Sequence, residues 1–331
     1  MRTNRRNFLR TSATAAGALL CADRMPRLFA QQAPASQYPQ PAQESAAGLP
    51  TFIQNYHALG TSTPVKTTKL TDTIFLLQGV GGNIVVHTGP DGKLMIDSSV
   101  ATAAPRIREA LDKLAPSPLK LLINTHWHFD HTDGNAAMHD AGAFIIAQDN
   151  TRLRLSSPQT VKLINVTFPA SPTSGLPQQT FPGKEKLYFD NDELHLTHTP
   201  NAHTDSDIYI HFANANVVHT GDLWFNGMYP LIDDSSGGTV NGMIRGVDEI
   251  LALSDDKTKI VPGHGPLGDK SALTNYREML ATVANRIEKL KIAGQSLDQV
   301  IAQKPTSDLD AAWGKGMMKP DMFVTVVYNT L

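Results

Sequence analysis

The 331-residue chain has a single cysteine, Cys21. Disulfides within the chain, cysteine-ligated zinc clusters and a cysteine nucleophile in the body are therefore excluded, and histidine must carry any metal chemistry. Net charge is also scarce, with 29 basic side chains against 31 acidic ones leaving −2. The balance is uneven along the chain. Arg2, Arg5, Arg6, Arg10, Arg24 and Arg27 face one acid, Asp23, in the first 30 residues, which leaves 23 basic and 30 acidic residues beyond them, a net −7. A mildly acidic body lacks the clustered Lys and Arg that counterion release from nucleic acid or anionic lipid requires, so no nucleic-acid partner is expected. No uncharged run in the leader reaches the roughly 20 residues of a transmembrane helix, since Thr11 to Ala22 is shorter. Gly79-Val80-Gly81-Gly82 is not followed by Gly-Lys-Ser/Thr, so these glycines read as a turn and not as a phosphate cradle. What is plentiful is apolar character, 41% of residues against 18% charged, enough for a sizeable core.

The N-terminus reads as a targeting segment. Arg5-Arg6-Asn7-Phe8-Leu9-Arg10 is a twin-arginine motif followed by a small, apolar stretch and a cleavage position after Ala30. Residues 1–30 are thus expected to be a signal peptide read by the twin-arginine (Tat) translocase, with a periplasmic destination and no stable membrane insertion after processing. Residues 31–65, rich in Pro, Gln, Ala and Ser, are expected to form a linker or an N-terminal arm lying on the domain.

From Lys69 the character changes. Thr73–Leu77, Asn83–His87 and Lys93–Asp97 are short apolar runs between glycine-rich turns, which predicts antiparallel strands. Alternation follows: a helix over 105–114, a buried strand over 119–124, a short helix over 134–140 and a strand over 144–147. Residues 156–184, polar and proline-bearing, are expected to be a long surface loop. Further strands are expected at 193–198, 208–212, 217–220 and 259–261, with helices at about 239–253 and 270–292. Residues 293–331 offer a C-terminal helical segment. Strands and helices in this proportion predict an α/β fold of stacked layers.

The chemistry concentrates at Thr125-His126-Trp127-His128-Phe129-Asp130-His131, which begins where a buried strand runs out. Residues two apart on an extended segment project to one side, so His126 and His128 can converge on one ion. Asp130 and His131 diverge from them as the chain turns into a helix and are placed to hold a second ion. Imidazole and carboxylate suit zinc. Further donors stand at other strand ends: His203, Asp222 after Gly221, and His264 between Gly263 and Gly265. The remaining histidines lack such surroundings. Trp127 and Phe129 are expected to pack the motif loop, and Trp224 and Tyr229 to wall a pocket.

Asp97 at a strand end, His126-x-His128-x-Asp130-His131, His203, Gly221-Asp222 and Gly263-His264-Gly265 together resemble the five-motif pattern of the metallo-β-lactamase superfamily, over about residues 66–292. The resemblance implies a four-layer αββα sandwich with a binuclear site along one edge. It implies two Zn2+ ions, with iron or manganese as alternatives: His126, His128 and His203 around one, Asp130, His131 and His264 around the other, and Asp222 bridging. Asp97 would brace the histidine loop from outside. The activity implied is that of a zinc-dependent hydrolase, in which a metal-bound hydroxide attacks a carbonyl of a small-molecule substrate (β-lactam, lactone or thioester) and Asp130 orients it. An iron-dependent sulfur dioxygenase and a non-catalytic metal-binding protein are the alternatives. The cysteine-ligated β-lactamases are excluded, because position 222 is Asp. The specificity loops, around 79–82, 156–184 and 225–238, carry no recognisable code.

Overall fold

A computed structural model describes residues 49–331. The twin-arginine segment and the stretch through residue 48 lie outside the described residues. The first sheet opens with β1 (Lys66–Lys69), β2 (Ile74–Gln78), β3 (Ile84–Gly89) and β4 (Gly92–Ile96), antiparallel in chain order. Parallel β5 (Leu119–Ile123) and β6 (Phe144–Gln148) extend it. A hairpin of β7 (Gln159–Val161) and β8 (Val166–Phe168) then precedes β9 (Gln179–Phe181), which pairs with β6 at the far edge. The second sheet takes β10 (Lys184–Phe189), β11 (Asp192–His198), β12 (Ile208–Phe212), β13 (Val217–His219) and β14 (Lys259–Val261), antiparallel except for the last pair.

The pleat decides which core each residue enters, because neighbours on a strand face opposite ways. Ile74, Leu76, Val85, Leu94 and Ile96 of the first sheet meet Leu194, Leu196, Ile208, Ile210 and Phe212 of the second in one buried cluster between the sheets. Their alternates, Leu77, Val86, Met95 and Leu122, turn outward onto Ile107 and Leu111 of the helix Ala104–Leu114. On the other side Tyr209, Val218 and Ile260 meet the helices Val240–Leu253 and Lys270–Ile292. Leu273, Tyr276, Leu280, Val283 and Ile287 recur at helical spacing along the long helix and are fully buried. Two sheets with helices on both outer faces make the αββα sandwich, and the C-terminal ends of the parallel pairs β4/β5 and β13/β14 supply the edge where loops gather.

Several local expectations need correction. Residues 156–184 are no surface loop: they form the β7/β8 hairpin and β9, and Val161, Val166, Phe168, Leu176 and Phe181 are buried. Each strand there is three residues long, too short for alternation to stand out between prolines. Within the stretch expected as linker or arm, Thr51–Ser62 is a helix. It lies on the domain through Thr102 Oγ1 donating to His57 O at 2.7 Å and His57 Nε2 pairing with Asp133 Oδ2 at 2.7 Å. A helix over Asp149–Leu155 was also absent from the periodicity. At the C-terminus, Phe323, Val324, Val326 and Val327 of the helix Pro320–Thr330 join the same core as the 270–292 helix.

Candidate metal centre

The centre is built from strand ends. β5 stops at Ile123, Thr125 O accepts from Ile208 N of the opposite sheet at 2.8 Å, and the chain bends at 125–127, instead of running on extended, before entering the short helix Phe129–Thr132. His126 and His128 therefore lie on a bent loop that still brings their ring centroids to 4.9 Å, and Asp130 and His131 on the first helical turn. β13 delivers Asp222, β14 delivers His264, and the loop after β11 delivers His203. The 79–82 turn closes against this loop. Gly82 N donates to Asp130 O at 3.0 Å, and a Cβ at Gly82 would stand 2.1 Å from the His131 ring, so only glycine fits there.

The seven side chains converge as two groups, His126, His128, His203 and Asp222 in one and Asp130, His131 and His264 in the other. The donor atoms of each group lie within 4.8 Å of one another. Asp222 links the groups: its Oδ2 is 3.3 Å from His203 Nε2, 3.4 Å from His264 Nε2 and 3.7 Å from His126 Nε2, and its Oδ1 is 3.2 Å from His131 Nε2. Asp130 Oδ2 is 3.4 Å from His264 Nε2 and 3.9 Å from His131 Nε2. His126, His131 and His203 are fully buried, whereas Asp130 and His264 are partly open.

Outer partners aim the rings. Asp97 sits just past β4 with φ at 63°, a left-handed conformation that aspartate tolerates better than most residues. Its carboxylate accepts from Thr125 N at 2.8 Å, from Thr125 Oγ1 at 2.7 Å and from His131 Nδ1 at 2.7 Å. Having donated to Asp97, the Thr125 hydroxyl accepts from His126 Nδ1 at 3.0 Å. His203 Nδ1 donates to Leu231 O at 2.7 Å, and His128 Nε2 to Asp233 Oδ2 at 3.2 Å. With the outer protons engaged, His126 Nε2, His128 Nδ1 and His203 Nε2 point inward as lone pairs, and His131 turns its Nε2 inward toward Asp222. Asp233 is a buried contributor that sequence reasoning missed. It lies in the uncoded 225–238 stretch, is also bonded by Ser235 and Ser236, and is held below the usual carboxylate range by its His128 and serine partners against the effect of burial.

The electrostatics divide the groups. Burial pushes His126 well below the ordinary imidazole value and His203 down to about 4, so both are neutral near pH 7. Burial acts the same way on His131 and His264, but there the Asp222 carboxylate, helped by Asp130 and at His131 by Asp97, outweighs it and raises both. The His264 and His131 imidazoles in turn hold Asp222 well below the carboxylate range despite its burial.

These residues fit divalent cations. His126 Nε2 and Asp222 Oδ1 are buried without a hydrogen bond, and such atoms are costly unless something else satisfies them. His203 Nε2 and His128 Nδ1 face each other at 2.8 Å, with both outer nitrogens already donating. A cation shared between those lone pairs resolves both problems. Nitrogen and carboxylate donors in this number are the chemistry of zinc and its neighbours.

The seven other histidines are held elsewhere. His219 bonds Asn83 O and Gly221 N, His195 pairs with Glu193 at 2.6 Å, His198 contacts Asp205 O, His139 contacts Ala143 O, and His57 pairs with Asp133. His87 lies between Phe189 and Phe212, and His211 lies beside His195. Trp224 and Tyr229, expected as pocket walls, are instead fully buried in the helical core, where Tyr229 stacks on Phe323 at 4.5 Å. Trp127 does pack the loop, edge-on to Phe168. The cleft that opens beside His128 and Asp130 is walled by Phe129, Phe168 and Leu231, together with Phe52 and Tyr56 of the 51–62 helix.

Comparison with known proteins agrees with this geometry. Residues 77–264, more than half of the chain, match the family model described as the metallo-β-lactamase superfamily. A hydroxyacylglutathione hydrolase from Pelagibacter ubique is 29% identical over 149 residues, 44% of this chain and 52% of that protein. Among solved structures, a metallo-β-lactamase from Pontibacter korlensis superposes with a TM-score of 0.55 at 16% identity, covering 66% of this chain and 99% of that one. The inverting sec-alkylsulfatase Pisa1 from Pseudomonas sp. gives a TM-score of 0.64 at 17% identity over 84% of this chain and 51% of its own. The motif residues at the strand ends, the two-sheet sandwich and the family match lead to one conclusion: the chain belongs to the metallo-β-lactamase superfamily.

Proposed function

We propose that the protein is a binuclear zinc hydrolase that cleaves a carbonyl compound, a β-lactam, lactone or thioester, in the periplasm after export by the twin-arginine route. The observation that carries this reading is the convergence of seven donors into two groups that share Asp222. His126 Nε2, His128 Nδ1 and His203 Nε2 would hold one ion; Asp130, His131 Nε2 and His264 Nε2 the other; Asp222 reaches both. Two divalent ions, when bound, supply carbonyl polarisation and a water made nucleophilic at neutral pH. The chain's own side chains do the rest. Asp130 turns Oδ2 toward His264 and His131, which leaves Oδ1 to accept a proton from the attacking water and return it to the leaving group. Asp97, Asp233 and Leu231 O fix the ring orientations, so little reorganisation is needed during the reaction. Phe129, Phe168 and Leu231 exclude water from one side of the centre. The hydroxyacylglutathione hydrolase from Pelagibacter ubique brings acyl-glutathiones into the range of substrates, and the Pontibacter korlensis enzyme brings β-lactams.

The test is a hydrolysis panel of a β-lactam, a lactone and an acyl-glutathione on purified mature protein. Turnover of at least one class, abolished by chelation and restored by zinc, is expected. Turnover indifferent to chelation, or oxygen consumption on a persulfide by protein saturated with one iron, would overturn the reading.

A further inference from the structure

Two segments outside the family-matching residues 77–264 meet over the cleft: Phe52 and Tyr56 come from the 51–62 helix, and Met317 from the C-terminal region. The aromatic rings form one connected wall. Phe52 is 5.0 Å from Tyr56 and 5.9 Å from Phe129; Tyr56 is 5.2 Å from Phe129; and Phe129 stacks on Phe168 at 5.0 Å. The same cleft reaches His128 and Asp130 at its inner end, so it is continuous with the candidate metal centre. Apart from those two residues its lining carries no charged side chain. Lys162, between two lining residues in sequence, is exposed and does not line it.

We infer that this cleft is the substrate-chain subsite of the hydrolase, and that it takes an uncharged, apolar chain carried by the carbonyl substrate. The inference rests on the hydrolase reading for its second partner, the carbonyl, and on the cleft alone for the chain. A charged group in the apolar chain would be stripped of water between Phe52, Phe129 and Phe168 with no counter-ion to meet it, whereas a hydrocarbon chain gains by leaving water there. Tyr56 adds no charge, because burial and the nearby Asp130 and Asp222 carboxylates raise its phenol and keep it protonated. Its hydroxyl has no hydrogen-bond partner among the described residues and is available as a donor to a neutral oxygen of the substrate. Met317, 46% exposed at the mouth, covers the chain with an adaptable thioether.

Calorimetric titration of the metal-loaded protein with methyl ketones from 2-butanone to 2-nonanone tests the subsite without requiring turnover. Affinity should rise by up to about fourfold per methylene while the chain remains in the cleft, and a sulfonate at the far end of the chain should reverse the gain. Met317→Lys alters a half-exposed position and need not disturb folding; it should flatten the series for neutral ketones and tighten the sulfonated ones. Phe52→Ala should flatten it as well, with thermal melting as the control for folding. A flat series in the wild type, or tighter binding of the sulfonated ketones than of the neutral ones, would overturn the inference. Chain-length-dependent binding with no hydrolysis of any ester condemns the hydrolase reading alone, and turnover with a flat series condemns the subsite alone.

Discussion

Asp222 and Asp130 are the two carboxylates among the seven converging donors, and their surroundings divide the work between them. Asp222 is fully enclosed and surrounded by four imidazoles; Asp130 is partly open to the cleft. Asp130→Asn keeps the shape of the side chain but removes the charge and the proton acceptor, so kcat should fall by about 100-fold or more with KM changing less. Full activity in a variant still carrying its metal would deny Asp130 that role. Asp233 acts one step further out, through His128. Asp233→Asn should weaken metal binding by about 10- to 100-fold, read by competition with a chromophoric chelator, while Asp233→Glu should recover part of it. The donor residues could be read from the sequence because His-x-His-x-Asp-His is compact and unusual. Asp233 could not be, because an aspartate beside serines in a loop has the same local appearance whether it caps a turn or aims a ring.

Among the elements, the parallel strand pairs set the centre and the short pieces shape its mouth. β4, β5, β13 and β14 read clearly as apolar runs, and the candidate donors stand at or beyond their ends. The β7/β8 hairpin and the 51–62 helix were not read, since three-residue strands and a helix with two buried residues give too little period to detect. Their positions follow from long-range contacts with Phe129 and Trp127. The two ligand groups, delivered by different elements, should also part with metal at different pH. His131 and His264 are raised by carboxylates, so protons compete for them at higher pH than for an ordinary imidazole; His126 and His203 are lowered and resist protonation, His203 down to about 4. Dialysis over a falling pH series with metal analysis should show the ion at Asp130, His131 and His264 lost first. Simultaneous loss, or the reverse order in a His264→Ala comparison, would contradict this division.

For the molecule as a whole, the C-terminal segment belongs to the same body as the sandwich. Phe323 is fully buried, stacked on Tyr229 beneath the 270–292 helix. Phe323→Ala should cost about 3–5 kcal/mol of stability, measurable by denaturant unfolding, and a loss below about 1 kcal/mol would mean that the segment only rests on the core. Stacked layers were readable from the alternation of strands and helices and the αββα order from the family resemblance, whereas the sharing of one core by residues 240–331 depends on contacts no local pattern records. Export is tested by replacing Arg5 and Arg6 with Lys, which should leave unprocessed precursor in the cytoplasm because the paired guanidinium groups are what the translocase reads; normal periplasmic appearance would contradict it. The two-ion centre itself is tested most directly by counting metal at saturation in purified mature protein. Two zinc equivalents per chain are expected, falling to one in His264→Ala, and a wild-type protein that saturates at a single equivalent would contradict it.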